Sequence, residues 1–154
     1  MAYTHFDALS TKNGGYAVGK KGSEVVVIDS SRNATFANVS GQDVFITAAT
    51  PALAAASGTF VVTAVPYACT ITKIYTVING AITTGDATLT FKIGTVAITS
   101  GAVVITQVGS AQGDVDSATP TAANVCVAGD YIACAITGGG GTATGMVTIV
   151  ATKS

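Results

Sequence analysis

Residues Thr70–Gly94, TITKIYTVINGAITTGDATLTFKIG, set apolar and polar side chains in near-strict alternation, and almost every polar position is threonine. A period of two is the signature of a strand with one face buried. Threonine is β-branched and favours the extended backbone. The wet face of a half-buried strand in an ordinary soluble protein carries lysine, glutamate and arginine. Here only Lys73 and Lys92 break the threonine pattern. A chain written this way must build sheets whose outer faces are polar but hardly charged.

The same grammar runs from Gly58 to the end. GTFVVTAV, CTITKIYTVIN, DATLTFKI, TVAIT, AVVIT, ANVCV, DYIACAIT and TGMVTIVAT are segments of strand length. Turn chemistry separates them at Asn79-Gly80, Gly85-Asp86, Ser100-Gly101, Gly113-Asp114, Gly129-Asp130 and the glycine run 138–141. Ala87, Leu89, Phe91 and Ile93 share one face while Thr88, Thr90 and Lys92 share the other. Ile132, Cys134 and Ile136 alternate in the same way with Tyr131, Ala133 and Ala135. No segment sustains a helical period. Short strands with close turn signals indicate an all-β fold, a two-sheet β-sandwich of jelly-roll kind.

Residues 1–57 read differently. More than half of the chain's charged residues lie there, including Lys12, Lys20, Lys21, Glu24, Asp29 and Arg32. Its strand candidates are Glu24–Ile28 and Val44–Thr47, set among glycines and with too few apolar residues for a core of their own. This segment is expected to be an extended N-terminal arm with short strands, and 58–154 the sandwich. Ala48–Gly58 reads equally as a short helix started at Pro51 or as a linker.

Composition narrows the function classes. The chain is 49% hydrophobic but only 10% charged, against about 25% charged in an average globular domain. Disorder through high charge is excluded. No apolar run approaches the roughly 18–20 residues of a spanning helix, and with no Trp the aromatic girdles of a membrane barrel are missing. The N-terminus lacks the basic and apolar regions of a secretory signal. A net charge of -1 gives no footprint for nucleic acid or anionic lipid. Cys69, Cys126 and Cys134 lie on strand-like segments and read as buried small hydrophobes in a reducing compartment.

Nothing in the text assembles an active site, so no enzyme activity and no cofactor is expected. His5 is the only histidine and sits in the arm, which leaves a Ser-His-Asp or Cys-His pair without support. No cluster has zinc-ligand spacing. Asp114-Val115-Asp116-Ser117 resembles a fragment of a calcium loop but lacks the downstream acidic ligand. It reads as a polar turn. The glycines 138–141 have no following helix and no nearby lysine, so they read as a flexible hairpin loop rather than a phosphate cradle.

From Gly58 onward the charged residues are Lys73, Lys92, Lys153, Asp86, Asp114, Asp116 and Asp130. That is sparse for an isolated surface, and sheet edges would lack their usual lysine gatekeepers. Interface cores are depleted in charge, so a surface largely covered by other copies accounts for the pattern. A neutral, wetted, fibre-like surface is the other explanation. Both describe a repeated structural component.

The stretches VPYACTITKIY (Val65–Tyr75), GDATLTFKIG (Gly85–Gly94), GSAQGDVDSATPT (Gly109–Thr121) and VAGDYI (Val127–Ile132), with GYAVGKKGSEVVVID (Gly15–Asp29), carry a resemblance. Together they resemble tailed-bacteriophage head decoration (cement) proteins and head-fibre-like virion proteins. The resemblance implies a homotrimer on the outer surface of the capsid, made in the host cytoplasm, bridging capsomers of the major capsid protein. It also implies that the arm, with Lys20, Lys21 and Glu24, lies along that protein. The alternative is a head- or tail-fibre module that binds host-surface glycans, for which the few aromatics offer little stacking surface. A wall-polymer hydrolase would need paired carboxylates on a cleft, and Asp114 with Asp116 is the only pair of that kind.

Overall fold

The computed structural model describes the short strands β1 (Tyr16–Val18), β2 (Val26–Ile28) and β3 (Ala34–Phe36) and the whole of residues 43–154. The chain divides into two units, 1–40 and 41–154. In the first, β1, β2 and β3 form a three-stranded antiparallel meander with Tyr16 opposite Ile28 and Val26 opposite Phe36. Lys20, Lys21, Glu24 and His5 lie outside the described residues.

The second unit is a jelly roll. Its strands are β4 (Asp43–Ala49), β5 (Thr59–Ala64), β6 (Cys69–Ile78), β7 (Ala87–Ile93), β8 (Val96–Ile105), β9 (Val115–Ala118), β10 (Val125–Cys126), β11 (Tyr131–Gly138) and β12 (Gly145–Lys153). The first sheet runs β4–β12–β6, with β9 and β10 both along the far side of β6. The second runs β5–β11–β7–β8. Every pairing is antiparallel, and apart from the β7–β8 hairpin the chain changes sheet at each step from β4 to β12 when β9 and β10 are taken as one broken strand. Strand order and crossovers together are those of two nested Greek keys.

Alternation builds the core between the sheets. Ala87, Leu89 and Phe91 point inward and are fully buried, as do Ile132, Cys134 and Ile136 from β11 and Val147, Ile149 and Ala151 from β12. They meet Ile71, Ile74 and Ile78 of β6. In β6 the alternation hides a phase change. Val150 pairs with Lys73 but Ala151 pairs with Ile71, which leaves Thr72 as an extra residue. Such a bulge re-aims every side chain beyond it. It sends Ile71 and Ile74 inward although they are three residues apart, turns Tyr75 outward, and buries Thr76 with its hydroxyl unpartnered.

Several expectations change. The arm does not extend to residue 57, because β4 pairs with β12 along its whole length, from Asp43–Thr152 to Ala49–Met146. Leu53 is buried in the core and its N–H donates to the Ala143 carbonyl at 2.7 Å. The stretch after β4 forms neither a helix begun at Pro51 nor a free linker. It forms one 3-10 turn, Ala55–Ser57, tied by the Ser57 hydroxyl to the Ala52 carbonyl at 2.6 Å. Ser100-Gly101 is not a turn between two strands but a bulge within β8. Thr90 pairs with Ala102 and Lys92 with Ala97, so residues 98–101 oppose Phe91 alone.

The glycine run 138–141 is not a flexible loop. A Cβ at Gly138 would meet the Asp86 carbonyl oxygen and one at Gly139 the Leu53 carbonyl oxygen. Both residues have positive φ, 67° and 65°, a region that L side chains disfavour. The run threads a seam between two backbone segments, and glycine is there because nothing else fits.

Candidate assembly surface

Among the described residues no group of three or more His, Cys, Asp or Glu is placed to hold a metal, and no helix is long and apolar enough to cross a membrane. Asp114 and Asp116 border a cleft of about 230 Å³ together with Thr106 and Ser110. The carboxylate of Asp114 closes its own turn, accepting the Ala111 N–H at 2.6 Å. Ser110 is also engaged: its hydroxyl accepts the Ile82 N–H and donates to the Gln107 carbonyl, both at 2.9 Å. Partial burial, and secondarily the charge of Asp114, raise the Asp116 carboxyl above the usual aspartate range. No aromatic ring lines the cleft. The polar turn expected from the sequence ends at Asp114, and Val115, Asp116 and Ser117 lie in β9, paired with β6.

The outward face of the first sheet is of a different kind. Register places side chains in rows across it. Ala49, Met146, Val77 and Val115 form one row over β4, β12, β6 and β9. Thr47, Thr148, Tyr75 and Ser117 form the next, and Phe45, Val150 and Lys73 the third. Phe45 is 67% exposed, Val115 60%, Met146 41% and Tyr75 38%. The charges on this face are Lys73 and Asp43, and both are held within the chain. Lys73 donates to the Thr119 hydroxyl at 2.8 Å and lies 5.7 Å from the centre of the Tyr75 ring. Asp43 accepts from the Thr152 hydroxyl at 2.8 Å.

The second sheet presents small residues instead. Thr88 stands between Thr137 and Val104, Thr90 between Ala135 and Ala102, and Lys92 between Ala133 and Ala97. Thr59 and Val61 extend the last two rows onto β5. Threonine and alanine dominate this face, with Lys92 as its charge and Val61 and Val104 as its exposed apolar side chains.

The two sides of the sandwich also differ. On one side β8 is kinked by its bulge, and the strand opposite it is broken into β9 and β10. Between them residues 119–124 swing across to the other sheet, where Thr99 N–H donates to the Ala122 carbonyl and Thr121 N–H to the Thr99 carbonyl, both at 3.0 Å. The Ser100 and Thr121 hydroxyls add a third bond at 3.0 Å. On the other side lie β4 and β5, each at the end of its sheet and next to each other. Among the described residues nothing pairs with their outer edges. Asp43 is the only charged residue in either strand. Bulges, breaks and lysines are how sheets blunt an edge against pairing. The β8 side has the first two; on the β4–β5 side β5 has a bulge at Val62, which pairs with no residue of β11, but neither strand is broken or carries a lysine.

Sequence reasoning missed Phe45 and Met146 as surface residues. Phe45 fell within the segment assigned to the arm. The alternation around Met146 was visible, but which phase faces outward is set by the pairing with β4 and β6. The contact residues expected in the arm, Lys20, Lys21 and Glu24, lie outside the described residues.

In sequence the chain matches no family model and no curated protein. In structure it is similar to a chain of the acid-stable capsid of Helicobacter pylori bacteriophage KHP30, with a TM-score of 0.49 and 7% identity, covering 74% of this chain and 90% of that one. It is similar to a chain of the cyanophage Pam1 capsid asymmetric unit, with a TM-score of 0.46 and 13% identity, covering 79% and 92%. It is also similar to the carbohydrate-binding module CsCBM6-3 of Clostridium stercorarium, solved with cellobiose, with a TM-score of 0.37 and 14% identity, covering 77% and 91%.

Proposed function

We propose that this chain is a structural virion protein that decorates and stabilises the outside of a bacteriophage capsid, associating as a homotrimer that bridges neighbouring capsomers. The observation that carries the proposal is the outward face of the first sheet. Phe45, Tyr75, Val77, Val115 and Met146 stand among threonines on it, and each of its two charges bonds a hydroxyl of the same chain. Interface cores have that composition, apolar and aromatic with little charge. Covering such a face desolvates two charges, each with a hydroxyl partner, rather than the many of a lysine- and glutamate-rich face.

The free β4 edge borders this face, so one strand offers both side chains and unpaired backbone groups to a neighbour. A ring of three is a closed heterologous assembly, in which one patch of each copy meets a different patch of the next. The function is mechanical. Weak contacts repeated over a shell gain strength through effective concentration, and they resist the outward pressure of packaged DNA. The arm, with Lys20, Lys21 and Glu24, supplies the contact to the major capsid protein in this reading.

The test is to sediment the purified full chain with empty capsids of the phage that carries its gene. Saturable co-sedimentation in multiples of three chains is the expected result. No co-sedimentation, together with a strong signal on a glycan array, would replace this reading with that of a host-binding fibre module.

A further inference from the structure

Cys69 begins β6 and Cys126 ends β10, and the two stand directly opposite each other in antiparallel register. Both are free thiols and both are buried, on the inward side of the first sheet. Two positions along, the Ile71 N–H donates to the Asn124 carbonyl at 2.8 Å. That places the cysteines at a hydrogen-bonded type of cross-strand pair, where Cα atoms lie about 5.5 Å apart, inside the span of roughly 4.4–6.8 Å that a disulfide bridges. Cys134 is buried on β11 in the other sheet and has no cysteine opposite it.

The pair joins a short strand to the longer β6. β10 has two residues only. It is anchored upstream by the Asn124 side chain, which donates to the Ile71 carbonyl at 2.7 Å, and downstream by a turn in which the Asp130 carboxylate accepts the Val127 N–H at 2.9 Å. Just before Asn124, Thr121 and Ala122 bond to Thr99 of the other sheet.

We propose that Cys69 and Cys126 form an oxidisable dithiol, a modification site at which an intramolecular disulfide clips β10 to β6. The oxidant is a small-molecule disulfide of the glutathione type. One cysteine thiolate attacks the oxidant's sulfur, and the first glutathione leaves as a thiol. The second cysteine, giving its proton to solvent, attacks the mixed disulfide and releases the second glutathione. Two protein thiols are oxidised and one external disulfide is reduced. Burial pushes the Cys126 thiol up to about 12 and raises Cys69 as well. Thiolate is therefore scarce at neutral pH, and closure is slow, gated by momentary release of β10 and faster in alkali. The site rests on the strand register and stands independently of the assembly reading.

The test is to incubate the full chain with oxidised glutathione at mildly alkaline pH, then unfold it in excess maleimide and read intact mass and peptide map. The expected product has lost two hydrogens, about 2 Da, takes one maleimide in place of three, and yields a linked peptide joining Cys69 to Cys126. Its melting temperature is higher than that of the reduced protein, and Cys126→Ser abolishes the shift while Cys134→Ser keeps it. Three reactive thiols after prolonged oxidation, stable glutathione adducts without a link, or a link through Cys134 would each overturn the proposal. The mass measurement on the unmutated chain decides it even if a variant fails to fold.

Discussion

The two outer faces of this sandwich are built on the same backbone grammar and differ in the size of the side chains they present. On the second sheet the outward positions of β7 and β11 are Thr88, Thr90, Lys92, Ala133 and Ala135. On the first, the equivalent central strands put out Tyr75, Val77, Met146 and Val150, with Phe45 and Val115 on the flanking strands. Both are low in charge, so composition alone does not separate them. The contrast shows that neutrality can serve two ends. A face of threonine, alanine and valine presents only small side chains, whereas one that adds Phe45, Tyr75 and Met146 presents large ones, as the proposed association needs. The edges differ too: the β8 side is bulged, broken and strapped, whereas the β4–β5 side, with a bulge at Val62 in β5, has no strap and leaves its outer backbone groups unpaired among the described residues.

The largest effect should come from removing the strand that carries both Phe45 and the open edge. A chain beginning at residue 58 loses β4 and the core residue Leu53, and is expected not to fold cooperatively by circular dichroism or thermal melting. A chain beginning at residue 42 keeps the whole jelly roll and should melt as one transition. In the proposed role it would fail to co-sediment with capsids. Equal folding of both truncations would contradict the pairing of β4 with β12.

Next comes the glycine seam, which fixes how the turn at residues 83–86 and the chain at Leu53 meet β11. Gly139→Ala places a Cβ against the Leu53 carbonyl at positive φ. It should cost on the order of 2–4 kcal/mol in denaturant unfolding, the range for strain and overpacking combined. Gly80→Ala, in open space at ordinary φ, should cost under about 0.5 kcal/mol.

The comparison of faces is sharpened most directly by matched charges. Phe45→Asp should weaken self-association by at least about 30-fold, the equivalent of a 2 kcal/mol hot spot. Thr90→Asp on the other face should leave association within about threefold of the parent. Each should keep its melting temperature within a few degrees, since both positions point out of the core.

The smallest effect concerns Asp116. Its folded-state acidity is weakened by burial and by Asp114, so the folded chain holds that proton more tightly than the unfolded one. Stability from this group is complete below the unfolded aspartate value of about 3.9 and is lost as pH rises through the higher folded value. Asp116→Asn should therefore melt slightly above the parent at neutral pH, with the difference vanishing in acid.

Much of the fold was legible because it is written locally. Ala87 to Ile93 and Ile132 to Ile136 show their buried faces by alternation alone, and the turn residues fall where the chain changes sheet. What escaped depends on partners distant in sequence. β4 finds its place only against β12, about a hundred residues later, so DVFITAA read as part of an arm. The bulge at Thr72 exists because of its register with β12, and no pattern within TITKIY announces which residue is extra. Ser100-Gly101 has turn chemistry but serves as a kink, since β7 continues past it as partner. The candidate surface was foreseen in kind, as missing charge, but not in place. Cys69 and Cys126 read as separate buried thiols until register set them face to face.

The central claim is that the uncharged surface is covered by copies of the same chain. Molar mass by light scattering during size exclusion, over a dilution series, tests it most directly. The account requires a constant three times the chain mass in the parent and a shift toward one chain mass on dilution of Phe45→Asp. A single chain mass for the parent at every concentration would contradict it.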